Sequence, residues 1–284
     1  MRTRPNFELH KKRVQMEEKM NIERRKVLDT FSEYTSHYNL ADEKIKLKVY
    51  HTYRVAALCQ RIANSLGLSA EDTDLAWLTG MLHDIGRFEQ VKNYNTFSDA
   101  DSIDHAHYGV QILYDDGKIE DYLPGCQESP DYEIVRTAIW NHSAFRVEEG
   151  LDERSHMFCD ILRDADKIDI LKVNFDTPLE EIYNVTTKEL ANAPITDAVL
   201  EQFKEHHAII RSTKRTAIDN LVGHIALVFE LVYPESLRIV QEQGYLQKLL
   251  GFPSENPVTR EQFSFMKKEI QEYIDSIKNT ADFL

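Results

Sequence analysis

Four positions in this 284-residue chain place a histidine or a carboxylate on the apolar stripe of a helical segment. His51 shares its face with Val55, Leu58 and Ile62, at steps of four, seven and eleven residues. His83 follows Ala76 and Thr79, and His142 follows Val135, Ala138 and Ile139. Asp166 lies four residues beyond Leu162 in a largely apolar segment. A single histidine in such a place usually reads as a hydrogen-bonded core residue. Four such positions, one of them a carboxylate, weaken that reading. An ionised aspartate on an apolar face is costly unless it is paired or bound to a cation. His83-Asp84 adds a second carboxylate, since neighbours at a helix end can turn towards one ion. Imidazole nitrogen with carboxylate oxygen is a donor set for Fe, Mn, Zn, Co, Ni or Mg.

In order along the chain, His51, His83-Asp84 and Asp166 resemble the H…HD…D pattern of the HD superfamily. The local contexts agree. Leu78 to Arg87 reads LTGMLHDIGR and is similar to the family's LLHDIGK stretch. Arg163 to Asp169 reads RDADKID and is similar to the DADKLD stretch that carries the last ligand. The similarity covers about residues 45–172. It implies an all-α metal-binding fold, an HD-domain helical core. It also implies hydrolysis of phosphoester or phosphoanhydride bonds, often in nucleotides.

The resemblance extends to two further histidines. His105-Ala106-His107-Tyr108-Gly109-Val110 is similar to an H-x-x-x-G-A/V segment of two-metal members, and so selects His105 over His107. Ile139-Trp140-Asn141-His142 is similar to the segment with their next ligand histidine. The implied site holds two divalent ions. His51, His83 and Asp166 hold one, His105 and His142 the other, and Asp84 bridges them as the central catalytic carboxylate. A water shared by two such ions becomes a nucleophile at neutral pH. Arg87 stands where many relatives have lysine, and a guanidinium can clamp phosphate bidentately. Arg87 is therefore expected to be catalytic and to contact substrate. Lys167 is a second substrate candidate, with a salt bridge to a neighbouring aspartate as its competing role. His156, His206, His207 and His224 have no matching context and read as structural or surface residues.

The same ligand order admits two other functions. A minority of HD proteins use two irons and O₂ to cleave C–C or C–P bonds. A module that binds ligand without catalysis is the third reading. Cyclic-di-nucleotide phosphodiesterases of the HD-GYP type carry a GYP segment, and none follows Asn141-His142-Ser143. No extra nucleotide-transfer segment is legible for a synthetase of guanosine polyphosphates.

Helices must position these residues. Apolar spacing predicts helices over about 42–66, from Ser69 to His83, and over about 102–115, 131–142, 155–173, 213–232 and 259–277. Gly67 reads as a stop, and Ser69 with Asp72 as a cap. Thr177-Pro178-Leu179-Glu180 reads as another helix start. A break is expected near Gly86 and a loop over 87–102. Its part from 93 to 104 should border the site, with Tyr94 and Phe97 either packing the loop or stacking on a base. Three parts are expected: a helical extension over 1–41, the metal-binding core over 42–175, and a helical region over 176–284 packed on it as one unit.

Composition fits a soluble protein: 42 % hydrophobic and 29 % charged residues. The net charge is −14, with nine Lys or Arg among residues 1–30. That balance argues against a duplex nucleic-acid partner. It does not argue against phosphate, because bound cations reverse the local field. Cys59, Cys126 and Cys159 form no CxxC pair, which fits a reducing cytoplasm. No apolar leader is legible at the start. The apolar run Leu221–Tyr233 is too short to cross a bilayer. The expected partner is a small phosphorylated molecule, with homo-oligomer formation left open.

Overall fold

In a computed structural model, described over residues 20–183 and 185–281, the chain is helical with no strand among the described residues. The helical extension expected over 1–41 falls partly outside them. Its described part is α1 (Arg24–Ser36), which buries Val27 and Phe31. Then come α2 (Glu43–Ser65), α3 (Ala70–Leu82), α4 (Ile85–Tyr94) and α5 (His105–Val110). A π-turn at Gln111–Asp115 continues α5, followed by α6 (Ile119–Tyr122), α7 (Asp131–Asn141) and α8 (Glu153–Asp176).

The three helices α2, α3 and α8 form the frame of the site. They pack on one another through Val55, Cys59, Ile62, Leu75, Leu78, Leu82, Ile161, Leu162 and Ile168, all nearly free of solvent. Their ends are capped as the residue types dictate. The Asp42 carboxylate accepts from the Lys44 and Ile45 amides, and the Ser69 hydroxyl accepts from the Asp72 amide. Gly67 takes a φ of +69° after α2, a conformation that costs glycine little.

The C-terminal region adds α9 (Leu179–Tyr183), α10 (Thr187–Asn192), α11 (Asp197–Lys204), α12 (Ala217–Ile225), α13 (Pro234–Gln243), α14 (Tyr245–Leu249) and α15 (Pro257–Ala281). Of these, α12, α13 and α14 pack along α8.

Three expectations are corrected. The loop expected over 87–102 is helical to Tyr94. Phe88, Gln90 and Val91 supply a buried face for α4, which ends where Asn95 turns left-handed. The helix expected from Ser102 starts at His105, because the Asp104 carboxylate caps the Ala106 and His107 amides. The helix expected over 213–232 is only Ala217–Ile225, followed by a 3-10 turn at Ala226–Glu230. Thr216 and Asp219 cap it reciprocally, which sets its start.

Candidate metal centre

Two glycines bring the site helices together. A Cβ on Gly80 of α3 would lie 2.6 Å from the Ala56 Cα of α2. Only glycine permits that approach, and it brings His83, at the end of α3, against His51. A Cβ on Gly86 would lie 2.2 Å from the His105 carbonyl oxygen and 2.7 Å from the Gly109 nitrogen. So Gly86 is no break. It lies in the first turn of α4, and its bare backbone lets α5 carry His105 up to Asp84. The break expected there falls at Asp84, whose φ of −105° and ψ of 17° separate α3 from α4.

Asp84 is the hub, and its two oxygens face two sets of side chains. Oδ2 lies 3.4 Å from His51 Nε2 and 3.4 Å from His83 Nε2. Oδ1 lies 3.5 Å from His105 Nε2 and 3.8 Å from His142 Nε2. Asp166 Oδ1 joins the first set, 3.1 Å from His51 Nε2 and 3.9 Å from His83 Nε2. The structure therefore brings together His51, His83, Asp84, His105, His142 and Asp166. His107 stays outside: it is 45 % exposed and stacks on Trp140 at 3.6 Å.

All four histidines point Nε2 inwards because Nδ1 is held elsewhere. His51 Nδ1 meets Asp169 Oδ2 at 2.6 Å, and His105 Nδ1 meets Asp99 at 2.9 Å. His83 Nδ1 donates to the Gly80 carbonyl at 2.8 Å, and His142 Nδ1 to the Ile139 carbonyl at 2.7 Å. Those acceptors require the proton on Nδ1, so Nε2 carries the lone pair. Nε2 of His51 and His83 are 3.3 Å apart, and those of His105 and His142 are 3.0 Å apart. Lone pairs facing at such distances repel unless a cation sits among them. The donor set therefore fits divalent metal.

Electrostatics agree. Burial opposes charge on Asp84, but Lys48, His83 and His105 hold its carboxyl well below the usual range. Burial likewise opposes charge on Asp166, and His51, His83 and His142 outweigh it, so this carboxyl is also held low. Burial and the neighbouring His105 and His83 push His142 down to about 3. Burial and Arg87 lower His105 despite Asp99 and Asp84. His51 is raised, because Asp166 and Asp169 outweigh burial and Lys48. Both central carboxylates are ionised near neutrality, while His105 and His142 are neutral.

Arg87 lies beside the hub, with Nε 3.6 Å from Asp84 Oδ1. Its Nη1 donates to Gln90 Oε1, the Phe97 carbonyl and Asp99 Oδ1, at 2.6, 2.8 and 2.8 Å. These contacts fasten the 95–104 loop that carries Asp99, so this loop borders the centre. Lys167 is buried, and burial with Arg163 pushes it down to about 8. Its Nζ donates to the Glu230 carbonyl at 3.3 Å instead of pairing with a neighbouring aspartate. His224 is held by Asn174 and Tyr183, within the C-terminal packing.

Sequence reasoning missed Lys48, Arg54, Asp99 and Asp169. Lys48 Nζ donates to Asp84 Oδ2 at 2.7 Å. Arg54 pairs with both oxygens of Asp169, at 2.6 and 2.8 Å. Helical spacing held a signal for three of them. Lys48 and Arg54 flank His51 by three residues on either side, and Asp169 follows Asp166 by three. Asp99 had none that set it apart from Asp101 and Asp104. A surface cavity of about 630 Å³, lined by Leu47, Tyr50, Arg54 and Lys172 among others, lies beside α2. The Arg54–Asp169 pair stands between it and His51.

Comparison with known proteins agrees with this geometry. Residues 49–172 match the family model of the HD domain. The chain therefore carries an HD domain over those residues. It is also similar to the 3'3'-cGAMP-specific phosphodiesterase 1 of Vibrio cholerae serotype O1, 43 % identical over 49 residues. That match covers 17 % of this chain and 11 % of the relative. No solved structure matches. No helix among the described residues is long and apolar enough to cross a membrane.

Proposed function

We propose that this protein is a two-metal phosphohydrolase that cleaves a phosphoester or phosphoanhydride bond in a small phosphorylated substrate, with nucleotides as the substrate class. The reading rests on Asp84, a buried carboxylate whose two oxygens each face a separate pair of histidine Nε2 atoms. His51, His83 and Asp166 would hold one ion, His105 and His142 the other, and Asp84 both. When bound, such ions acidify water and neutralise the phosphate oxygens as charge shifts in the transition state.

The chain's own residues prepare that site. Asp169, Asp99 and the Gly80 and Ile139 carbonyls fix each imidazole, so no ring has to reorient. The ligand side chains of His51, His83, His105, His142 and Asp84 are at most 2 % exposed. Asp166 is 14 % exposed, and substrate approaches on its side. Arg87 keeps the Asp99 loop in place and faces Asp84, where its charge complements an incoming phosphate. Three buried free cysteines accord with a reducing cytoplasm.

The test is a panel of nucleotides, cyclic dinucleotides, dinucleoside polyphosphates and sugar phosphates, run on protein loaded with Mn or Fe. Release of phosphate or nucleoside monophosphate from at least one member is expected. Full metal content with no turnover on the whole panel would overturn the proposal. Substrate-dependent O₂ consumption in the iron form would transfer the site to oxygen chemistry.

A further inference from the structure

Five cationic side chains surround the centre, and the protein holds them to different degrees. Arg54 is bidentate on Asp169. Arg163 Nη1 donates to the carbonyls of Asn141, His142 and Ala144. Arg87 Nη1 serves three acceptors while its buried Nε has no hydrogen-bond partner, and Lys167 is buried with its Nζ on the Glu230 carbonyl. Lys48 differs. It lies one helical turn before His51 on α2, so its stem runs along the same face towards the hub. Its Nζ meets Asp84 Oδ2, the oxygen shared by His51 and His83. The ammonium also lies 5.3 Å above the Phe97 ring, which steadies its position from the loop side.

An ammonium has three N–H donors. Asp84 takes one, and among the described residues no other acceptor takes the remaining two. The side chain is 13 % exposed, much like Asp166 at 14 %, whereas the ligand histidines are at most 2 %. Lys48 is thus a cation with spare donors at the open edge of the centre. A charge there is costly to bury unless something completes its hydrogen bonds.

We propose that Lys48 is a phosphate-binding residue, giving its free N–H groups to a non-bridging oxygen of the phosphoryl group held at the centre. The proposal rests on the phosphohydrolase reading. It adds a hydrogen-bonding ammonium to the charge of Arg87, whose Nη1 is held by the loop. A compact ammonium suits this role, since it can keep Asp84 and reach a phosphate oxygen together.

The experiment is calorimetric titration of inorganic phosphate into metal-loaded wild type, Lys48→Met and Lys48→Arg. Metal content is measured on each sample, and folding is checked by circular dichroism. Loss of a charge-assisted hydrogen bond should weaken phosphate binding of Lys48→Met by about ten- to a hundredfold. Its metal content should stay at the wild-type level, and Lys48→Arg should recover most of the affinity. Phosphate affinity of Lys48→Met within twofold of wild type would overturn the proposal. Loss of metal from Lys48→Met would also overturn it, making Lys48 a structural counter-ion of Asp84. If Lys48→Met does not fold, Lys48→Gln takes its place and is read by the same limits. Wild type that binds no phosphate refutes it whatever the substrate panel yields. Lys48-dependent phosphate binding without turnover would sink the hydrolase reading alone, and turnover with Lys48-independent binding would sink this one alone.

Discussion

The two halves of the centre are built by different means. His51 and Asp166 stand on helices of 23 and 24 residues and His83 caps one of 13, and the buried faces of these helices make the core itself. His105 begins a six-residue helix, and its Nδ1 partner Asp99 sits on a three-residue 3-10 turn. The first half is held by apolar packing, with the Asp169–Arg54 pair behind it. In the second, His142 caps the packed helix α7, but His105 is fastened by polar contacts, chiefly from Arg87 and Gln90 to Asp99. Charge differs as well. Asp84 Oδ2 and Asp166 both serve the first half, whereas Asp84 Oδ1 alone serves the second. Two carboxylates attract a divalent ion more strongly than one. On the two-metal proposal, such a difference would leave the two ions unequally held. The first half should keep its ion under chelation longer than the second.

The largest effect should come from the shared residue. Asp84→Ala removes an oxygen from each half, so both ions should be lost and turnover should fall by more than about a hundredfold, beyond the effect of changing an outer partner. Mass-spectrometric metal analysis checks this. One full equivalent retained at wild-type affinity would mean that Asp84 is not shared.

An intermediate effect separates the halves. Asp169→Asn and Asp99→Asn each weaken the support of one imidazole, His51 and His105 respectively. Each should lower affinity for one ion by about ten- to a hundredfold and spare the other. Dialysis against graded chelator would resolve the two losses. The picture of two separable halves fails if both variants release the same ion.

The smallest effect lies outside the centre. Asp219 accepts from the Thr196, Arg215 and Thr216 amides and the Thr196 hydroxyl, at 2.9, 2.8, 2.9 and 2.6 Å. Burial opposes its charge, but these hydrogen bonds, led by Thr196, outweigh it and lower its pKa. A folded pKa below the unfolded value of about 3.9 means stability that is full above that pH and is lost as pH falls through the folded pKa. Asp219→Asn should therefore cost about 1–3 kcal/mol near neutrality and flatten the acid limb of stability. Urea melts from pH 7 to pH 3 measure it. Metal content should not change, and a change would couple the C-terminal region to one half of the centre.

By itself the sequence determined the helical class and most of the side chains that converge on the centre. His51, His83, His142 and Asp166 each lie in step with apolar neighbours, and the helical period turns that spacing into a shared face. His105 became legible only through the resemblance of its segment, since spacing could not choose it over His107. Tertiary structure decided the rest, because periodicity reports which face of a helix is buried but not what meets it. Asp169 and His51 are separated by 118 residues, and Asp84 and Lys48 by 36. Asp99, Asp101 and Asp104 are chemically alike, and the position of Arg87 and Gln90 on α4 selects Asp99. Gly86 read as a break because glycine weakens helices. It is needed in one because the His105 backbone passes where a side chain would be, a contact between segments that no local pattern encodes.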